Sequence, residues 1–189
     1  MKNSLSQHQQ VIDVMDANGG YATLGFLYHH VDVEKWSTKT PFKTINRIVQ
    51  DDRFFFRIKP GLWALKSKEN EVLKFLEIES AGDKQSETFN HSYFQGLLVE
   101  VGNMKGFQTF VPNQDKNRLF LGKRLGEISS IETIHPFSYE SLVKRAKTVD
   151  AIWFNKRDMP SAFFEVEHST DIFNSLIKFS DLSDFYELV

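Results

Sequence analysis

The chain has 189 residues, 41% of them hydrophobic and 25% charged, with a formal net charge of −2. That length suits one large domain or two small ones, and that composition excludes wholesale disorder. The chain has no cysteine, which excludes disulfides, thiol catalysis and thiolate metal sites, and no apolar run approaching the ~18 residues of a membrane helix. The polar opening MKNSLSQHQQ lacks the apolar centre of a secretory signal, so a cytoplasmic location with no membrane partner is the default expectation. The charge is unevenly spread. Between Lys35 and Lys66 eight basic residues stand against only Asp51 and Asp52, whereas residues 67–189 carry 14 Lys/Arg and 19 Asp/Glu. Such a basic stretch reads either as a solvated face or as a polyanion-binding module attached to something else.

In chain order, Ser4 or Ser6 can cap a first helix that places Val11, Ile12, Val14 and Met15 ahead of the stop signal Asn18-Gly19-Gly20. Thr23 can cap a second helix. Thr40-Pro41 fits an N-cap and a first-turn proline for a third helix, with Phe42, Ile45, Ile48 and Val49 on its apolar face. Phe54–Ile58, Lys59-Pro60-Gly61 and Leu62–Leu65 then read as strand, turn, strand. Three helices and a hairpin are the parts of a winged helix-turn-helix. The free face of its third helix carries Lys39, Thr40, Lys43, Thr44, Asn46 and Arg47, and its wing carries Arg53, Arg57 and Lys59. These residue types grip phosphates and base edges, and an amphipathic helix fits the major groove. A module used for protein contacts is the competing interpretation.

The stretch ANGGYATLGFLYHHV…WSTKTPFKTINRIVQDDRFFFRIKPGLWALK resembles the HARE-HTH family of winged helices over residues 10–66. The matching features are the Gly-Gly between the first two helices, the Thr-Pro opening the third, and the Pro-Gly-x-Trp-Ala-Leu of the wing. The resemblance implies DNA binding in a chain that fuses this module to a DNA-modifying or chromatin-associated domain.

A short helix over Glu69–Ile78 and the polar stretch Glu79–Ser86 follow. The expected organisation is therefore a winged helix over residues 1–67, a linker over 68–88 and a second domain over 89–189. In the second domain Phe94, Leu97, Leu98, Val101 and Met104 keep helical spacing, and 107–111 alternate as a strand. Residues 113–130 read as loop, 131–134 as a short strand and 139–146 as a helix. Strands at 148–154 and 162–166 and a long helix over 169–185 complete an α/β layout with a mixed central sheet, in an α+β, two-domain chain overall.

Asp150 opens one of these strands, and Glu165 and Glu167 end the next. Residues at i and i+2 of a strand share a face, so three carboxylates converge if the strands are neighbours. Converging carboxylates need a cation, and oxygen donors select Mg²⁺ or Mn²⁺. The alternative makes Glu165 and Glu167 the solvent face of an edge strand, but Phe163 and Phe164 together suggest a strand buried on both faces. Among outlying groups Glu100, His91 and His168 could assist, and Asp115 and Lys116 have no argued role.

Asp150, Glu165 and the residues between them resemble the PD-(D/E)xK nuclease superfamily over residues 89–187, with Glu167 standing where a lysine is usual. The resemblance implies a restriction-endonuclease-like fold and a type II-like DNA endonuclease. Asp150 and Glu165 would hold the metal, helped by the Val166 carbonyl, while Glu167 aligns or deprotonates the attacking water. Cutting both strands implies a homodimer on double-stranded DNA. The superfamily core normally continues with a further strand, so the chain is expected to be cut short at its C-terminus. The alternative function is a DNA-binding regulator whose nuclease-like domain is inactive.

Overall fold

The Ser6 hydroxyl accepts the Gln9 N–H at 3.1 Å and so starts α1 (Gln7–Ala17), whose buried face is Val11 and Met15. In the computed structural model, residues 6–76, 83–167 and 172–183 are described, with 83–90 described by backbone alone. Helix α1 ends where Gly19 and Gly20 take φ of +84° and +92°, and the Gly20 N–H closes on the Met15 carbonyl. After β1 (Tyr21–Thr23), Thr23 caps α2 (Leu24–His30) by accepting the Phe26 N–H. Pro41 opens α3 (Pro41–Val49) as expected, but Thr40 lends it no side-chain cap; the Thr44 hydroxyl instead donates back to the Thr40 carbonyl. β2 (Phe55–Lys59) and β3 (Leu62–Leu65) form a hairpin about Pro60-Gly61, where Gly61 has φ of +79°.

β1 pairs antiparallel with β3, giving a three-stranded sheet of order β1-β3-β2. Val11, Met15, Leu27, Ile45, Val49 and Phe55 form the core over it. The Trp36 ring joins that core, and its N–H is satisfied by Gln10 Oε1 at 3.0 Å.

The chain divides into two compact units, residues 1–80 and 81–189. Part of the segment read as linker is helical. In α4 (Glu69–Phe75) Val72 is buried, as is Leu76 just beyond it, and residues 83–88 belong to α5 (Asp83–Met104). The apolar spacing Val72-x-x-x-Leu76 is what recruits this segment to the first unit.

In the second unit α5 leads through Lys105-Gly106 into β4 (Gln108–Phe110). Residues 113–130, expected as loop, contain β5 (Leu119–Phe120), β6 (Lys123–Arg124) and α6 (Leu125–Ile128). The β5–β6 turn places Leu121 and Gly122 at φ of +48° and +81°, the pattern of a tight hairpin turn. Residues 131–134 are not a strand: both Ser130 and Ile131 N–H groups share the single Thr109 carbonyl, so no ladder forms, although Ile134 is buried.

α7 (Glu140–Ala146), β7 (Ala151–Phe154), β8 (Pro160–Phe164) and α8 (Ile172–Ser183) complete the unit. The sheet has order β4-β7-β8. Among the described residues every pairing is antiparallel, so the mixed sheet expected from sequence is not found and the architecture is α+β. β8 lies at the edge of the three, and its Phe163 and Phe164 are half-buried rather than enclosed on both faces.

Two glycines set the distance of α5 from its neighbours. A Cβ on Gly96 would lie 2.2 Å from the Phe120 ring, and one on Gly102 would lie 2.5 Å from Trp153 Nε1. Gly96→Ala is therefore expected to destabilise the second unit by about 1–3 kcal/mol through overpacking. Urea unfolding monitored by tryptophan fluorescence measures it, and an unchanged midpoint would mean that Phe120 yields freely.

Candidate active site

The backbone brings the acids together. β7 and β8 pair in the register Ala151↔Phe164. Asp150 and Glu165 stand one residue beyond that pair, on the two strands at the same end of the hairpin. Val149 and Ala151, both fully buried, fix the Asp150 backbone.

Asp150 is itself only 8% exposed. Its Oδ2 accepts the Val166 N–H at 2.6 Å, and its Oδ1 lies 3.2 Å from His91 Nε2 on α5. One helical turn along, the buried Gln95 donates from Nε2 to the Asp150 carbonyl (2.7 Å) and to Asp115 Oδ2 (3.1 Å). Asp115 is buried and ion-paired through Oδ1 with Arg118 Nε at 3.0 Å. One ligand atom each from His91, Asp115 and Asp150 lie within 4.8 Å of one another.

Glu165 and Glu167 face different partners. Glu165 Oε1 accepts from Lys178 Nζ at 2.8 Å, and Lys178 also donates to the Thr148 carbonyl at 3.0 Å. Glu167 is exposed and accepts the Ser175 hydroxyl. Glu165, Val166 and Glu167 line an open cleft of about 520 Å³ together with Phe94, Leu97, Leu98, Val101 and Trp153. Among the described residues the three-carboxylate cluster expected from sequence is thus divided. Asp150 groups with His91 and Asp115, and the two glutamates are held by α8.

The electrostatics follow this geometry. The Asp150 hydrogen bond raises the His91 pKa against the opposing effect of burial. Burial pushes Asp150 upward, but hydrogen bonds from His91 and from the Val166 N–H outweigh it and hold the carboxyl below its ordinary value. Burial raises Glu165; the Lys178 hydrogen bond offsets this only in part, and the negative charge of Asp150 adds to the rise.

Of the outlying groups, His91 is half-buried against Asp150 rather than on the surface. Glu100 is half-buried on α5 and outside the His91–Asp115–Asp150 group. His168 lies outside the described residues. In the first unit Lys39, Thr40, Lys43 and Arg47 are exposed along α3 and its approach, while Thr44 and Asn46 are half-buried. Asn46 Oδ1 accepts from Gln50 at 3.2 Å. Arg53 is exposed but forks onto Asp51 at 2.7 and 2.9 Å, holding that carboxyl down to about 2. The Arg57 Nε–H donates to the Lys59 carbonyl at 3.3 Å, and burial lowers the Lys59 pKa.

Sequence reasoning missed Gln95, Asp115, Ser175 and Lys178. The one readable signal lay on α5, where Ser92, Gln95 and Val99 share a helical face and all are buried. A polar pair in line with a core valine marks a face that must find hydrogen-bond partners.

The second unit is thus an α+β domain with a buried Asp–His pair at one end of a hairpin and two glutamates on the rim of a mostly apolar cleft. Residues 72–188 match the family described as the Type II restriction enzyme NmeDI C-terminal domain, and the chain belongs to that family. It is similar to the Type II restriction enzyme NmeDI of Neisseria meningitidis serogroup C, with 28% identity over 99 residues. That stretch is 50% of this chain and 28% of the relative. No solved structure matches. Among the described residues no helix is long and apolar enough to cross a membrane.

Proposed function

We propose that this chain is a metal-dependent endonuclease that hydrolyses phosphodiester bonds of duplex DNA, in the manner of type II restriction enzymes. The observation that carries the reading is Asp150. A buried carboxylate is fixed by a backbone N–H and a histidine at the same hairpin end as Glu165. Membership of a restriction-enzyme domain family supports it.

The residues fit a small divalent cation. His91, Asp115 and Asp150 offer donor atoms at chelating separation, and the buried Gln95 Oε1 has no hydrogen-bond partner among the described residues. His91, Asp115 and Asp150 would hold Mg²⁺ or Mn²⁺, Asp150 being the member shared with the Asp150, Glu165 and Val166-carbonyl set that the motif resemblance implies. The imidazole favours Mn²⁺ of the two. A cation held there would polarise the scissile phosphate and acidify a water. The chain's own groups do the rest. The Val166 N–H and His91 orient Asp150, and Glu167, on the open cleft, accepts the proton of the attacking water.

The first unit acts as a winged helix that finds the duplex. Its element order and its exposed row Lys39, Lys43 and Arg47 support this role. Two strands need two sites, so the enzyme works as a homodimer. Incubation with plasmid and with methylated or unmethylated genomic DNA, in Mg²⁺, Mn²⁺ or EDTA, tests the reading. Metal-dependent scission is expected, and intact DNA under every condition would end it.

Lys43→Ala combined with Arg47→Ala is expected to weaken duplex binding. It should also make the slope of log affinity against log salt shallower by about 2, one per lost phosphate contact. Fluorescence anisotropy across a salt series measures both, and an unaltered slope would take α3 out of the interface.

A further inference from the structure

Helix α3 exposes a ring that its apolar pattern assigns to the core. Ile45, Ile48 and Val49 are buried, but Phe42 is 50% exposed. Phe42, Asn46 and Gln50 form one i, i+4 row, and Lys43 and Arg47 form the exposed row beside it. The ring is held in place. It lies 4.9 Å from the Tyr28 ring at 45°, and Tyr28 packs against the core of the first unit. Tyr28 thus backs Phe42, while half of Phe42 stays open to solvent.

We infer that Phe42 is a specificity-determining residue of the first unit, a contact for the C5 methyl group of a pyrimidine in the major groove. The inference rests on the reading of this unit as the module that finds the duplex.

Charge, position and chemistry each argue for it. Lys39, Lys43 and Arg47 are exposed around the ring, and no acidic residue lies between Lys35 and Gln50. Such a surface attracts a polyanion and repels a second copy of itself. Phe42 is the second residue of α3, and the N-terminal residues of a recognition helix are those that reach base edges. Gripping phosphate needs no aromatic ring, so the basic row alone leaves Phe42 without a role. Phenylalanine has no hydrogen-bond donor or acceptor. The major-groove edges of the bases present donors and acceptors throughout, except for the thymine C5 methyl. A 5-methylcytosine carries the same group at the same ring position, so the two bases share the chemistry that Phe42 fits.

The test uses the full chain in EDTA, so that binding is read without cleavage. The parental chain selects duplexes from two randomised pools, one made with ordinary cytosine and one with 5-methylcytosine. The selected duplexes are remade with one thymine at a time replaced by uracil, or one 5-methylcytosine at a time by cytosine, and affinities are read by fluorescence anisotropy. Removing the contacted methyl is expected to weaken parental binding about 4-fold, the worth of one buried methyl-sized group. The base at which this happens identifies the source of the methyl. Phe42→Ala should bind the methyl-bearing and methyl-free duplexes alike. Its slope of log affinity against log salt should match the parent's, because no phosphate contact is lost. Circular dichroism checks the fold, and if Phe42→Ala fails to fold, Phe42→Gln decides. A parental chain indifferent to every methyl overturns the inference. So does a Phe42→Ala chain that keeps the parental difference, or one whose salt slope falls with that of the basic row. A parental chain that binds no duplex removes the duplex-finding role itself, and the inference with it.

Discussion

Asp150→Asn is expected to abolish cleavage while leaving duplex binding and the fold in place. The amide is isosteric, and its oxygen can still accept the Val166 N–H that now meets Oδ2 at 2.6 Å. What disappears is the charge, and with it the hard anionic donor that a divalent cation requires. Single-turnover cleavage, anisotropy with duplex DNA and circular dichroism separate the three outcomes. A variant that cannot fold would make Asp150 a structural acceptor for the β8 end instead. The same substitution carries a pH signature. His91 has a raised pKa, so its share of the ion-pair stability is fully present below its ordinary value of 6.5 and fades as pH rises through the folded value. Asp150 has a lowered pKa, so its share is present above its ordinary 3.8 and fades as pH falls through the folded value. The Tm gap between parent and Asp150→Asn should therefore be widest between these two ordinary values and narrower at alkaline pH. A gap of constant size would mean that the pair contributes nothing as an ion pair.

The local chemistry of the first unit was legible because its boundaries are set by residues close in sequence. Ser6, Thr23, Gly19-Gly20, Pro41 and Pro60-Gly61 each fix a cap or turn with partners within five residues. β1 was not legible, since three residues become a strand only by pairing with β3, some 40 positions away. The site divides in the same manner. Asp150, Glu165 and Glu167 could be singled out from a short hairpin spacing. His91 meets Asp150 across 59 positions and Gln95 meets Asp115 across 20, and no periodicity encodes such meetings. Asp115 looked like a loop residue because its segment is polar, yet it is buried, with Gln95 donating to its Oδ2 and Arg118 ion-paired at its Oδ1. The extended strand read over 162–166 stops at Phe164 because Asp150 captures the Val166 N–H that would otherwise continue the ladder. The feature that ends the strand is thus the one that builds the site.

Glu167→Gln is expected to cut the cleavage rate on the order of 10²-fold or more, the lower end of what a positioned base contributes. Glu167 is exposed on the cleft and accepts a hydrogen bond from Ser175 on α8, which fixes one carboxylate oxygen and leaves the other for a water. Glutamine keeps the size and can still accept from Ser175, but it cannot take a proton. Ser175→Ala is the control: it loosens the carboxylate without removing it, so its loss should be much smaller. DNA affinity should hold in both variants, because removing a negative charge or a neutral hydroxyl cannot weaken attraction to phosphate. Raising the pH should not restore Glu167→Gln to the parental rate, since hydroxide from solvent lacks the placement that the glutamate gives the water. Single-turnover rates across pH measure all of this, and a Glu167→Gln variant that matches the parent at every pH would leave proton removal to solvent and reduce Glu167 to a surface partner of Ser175.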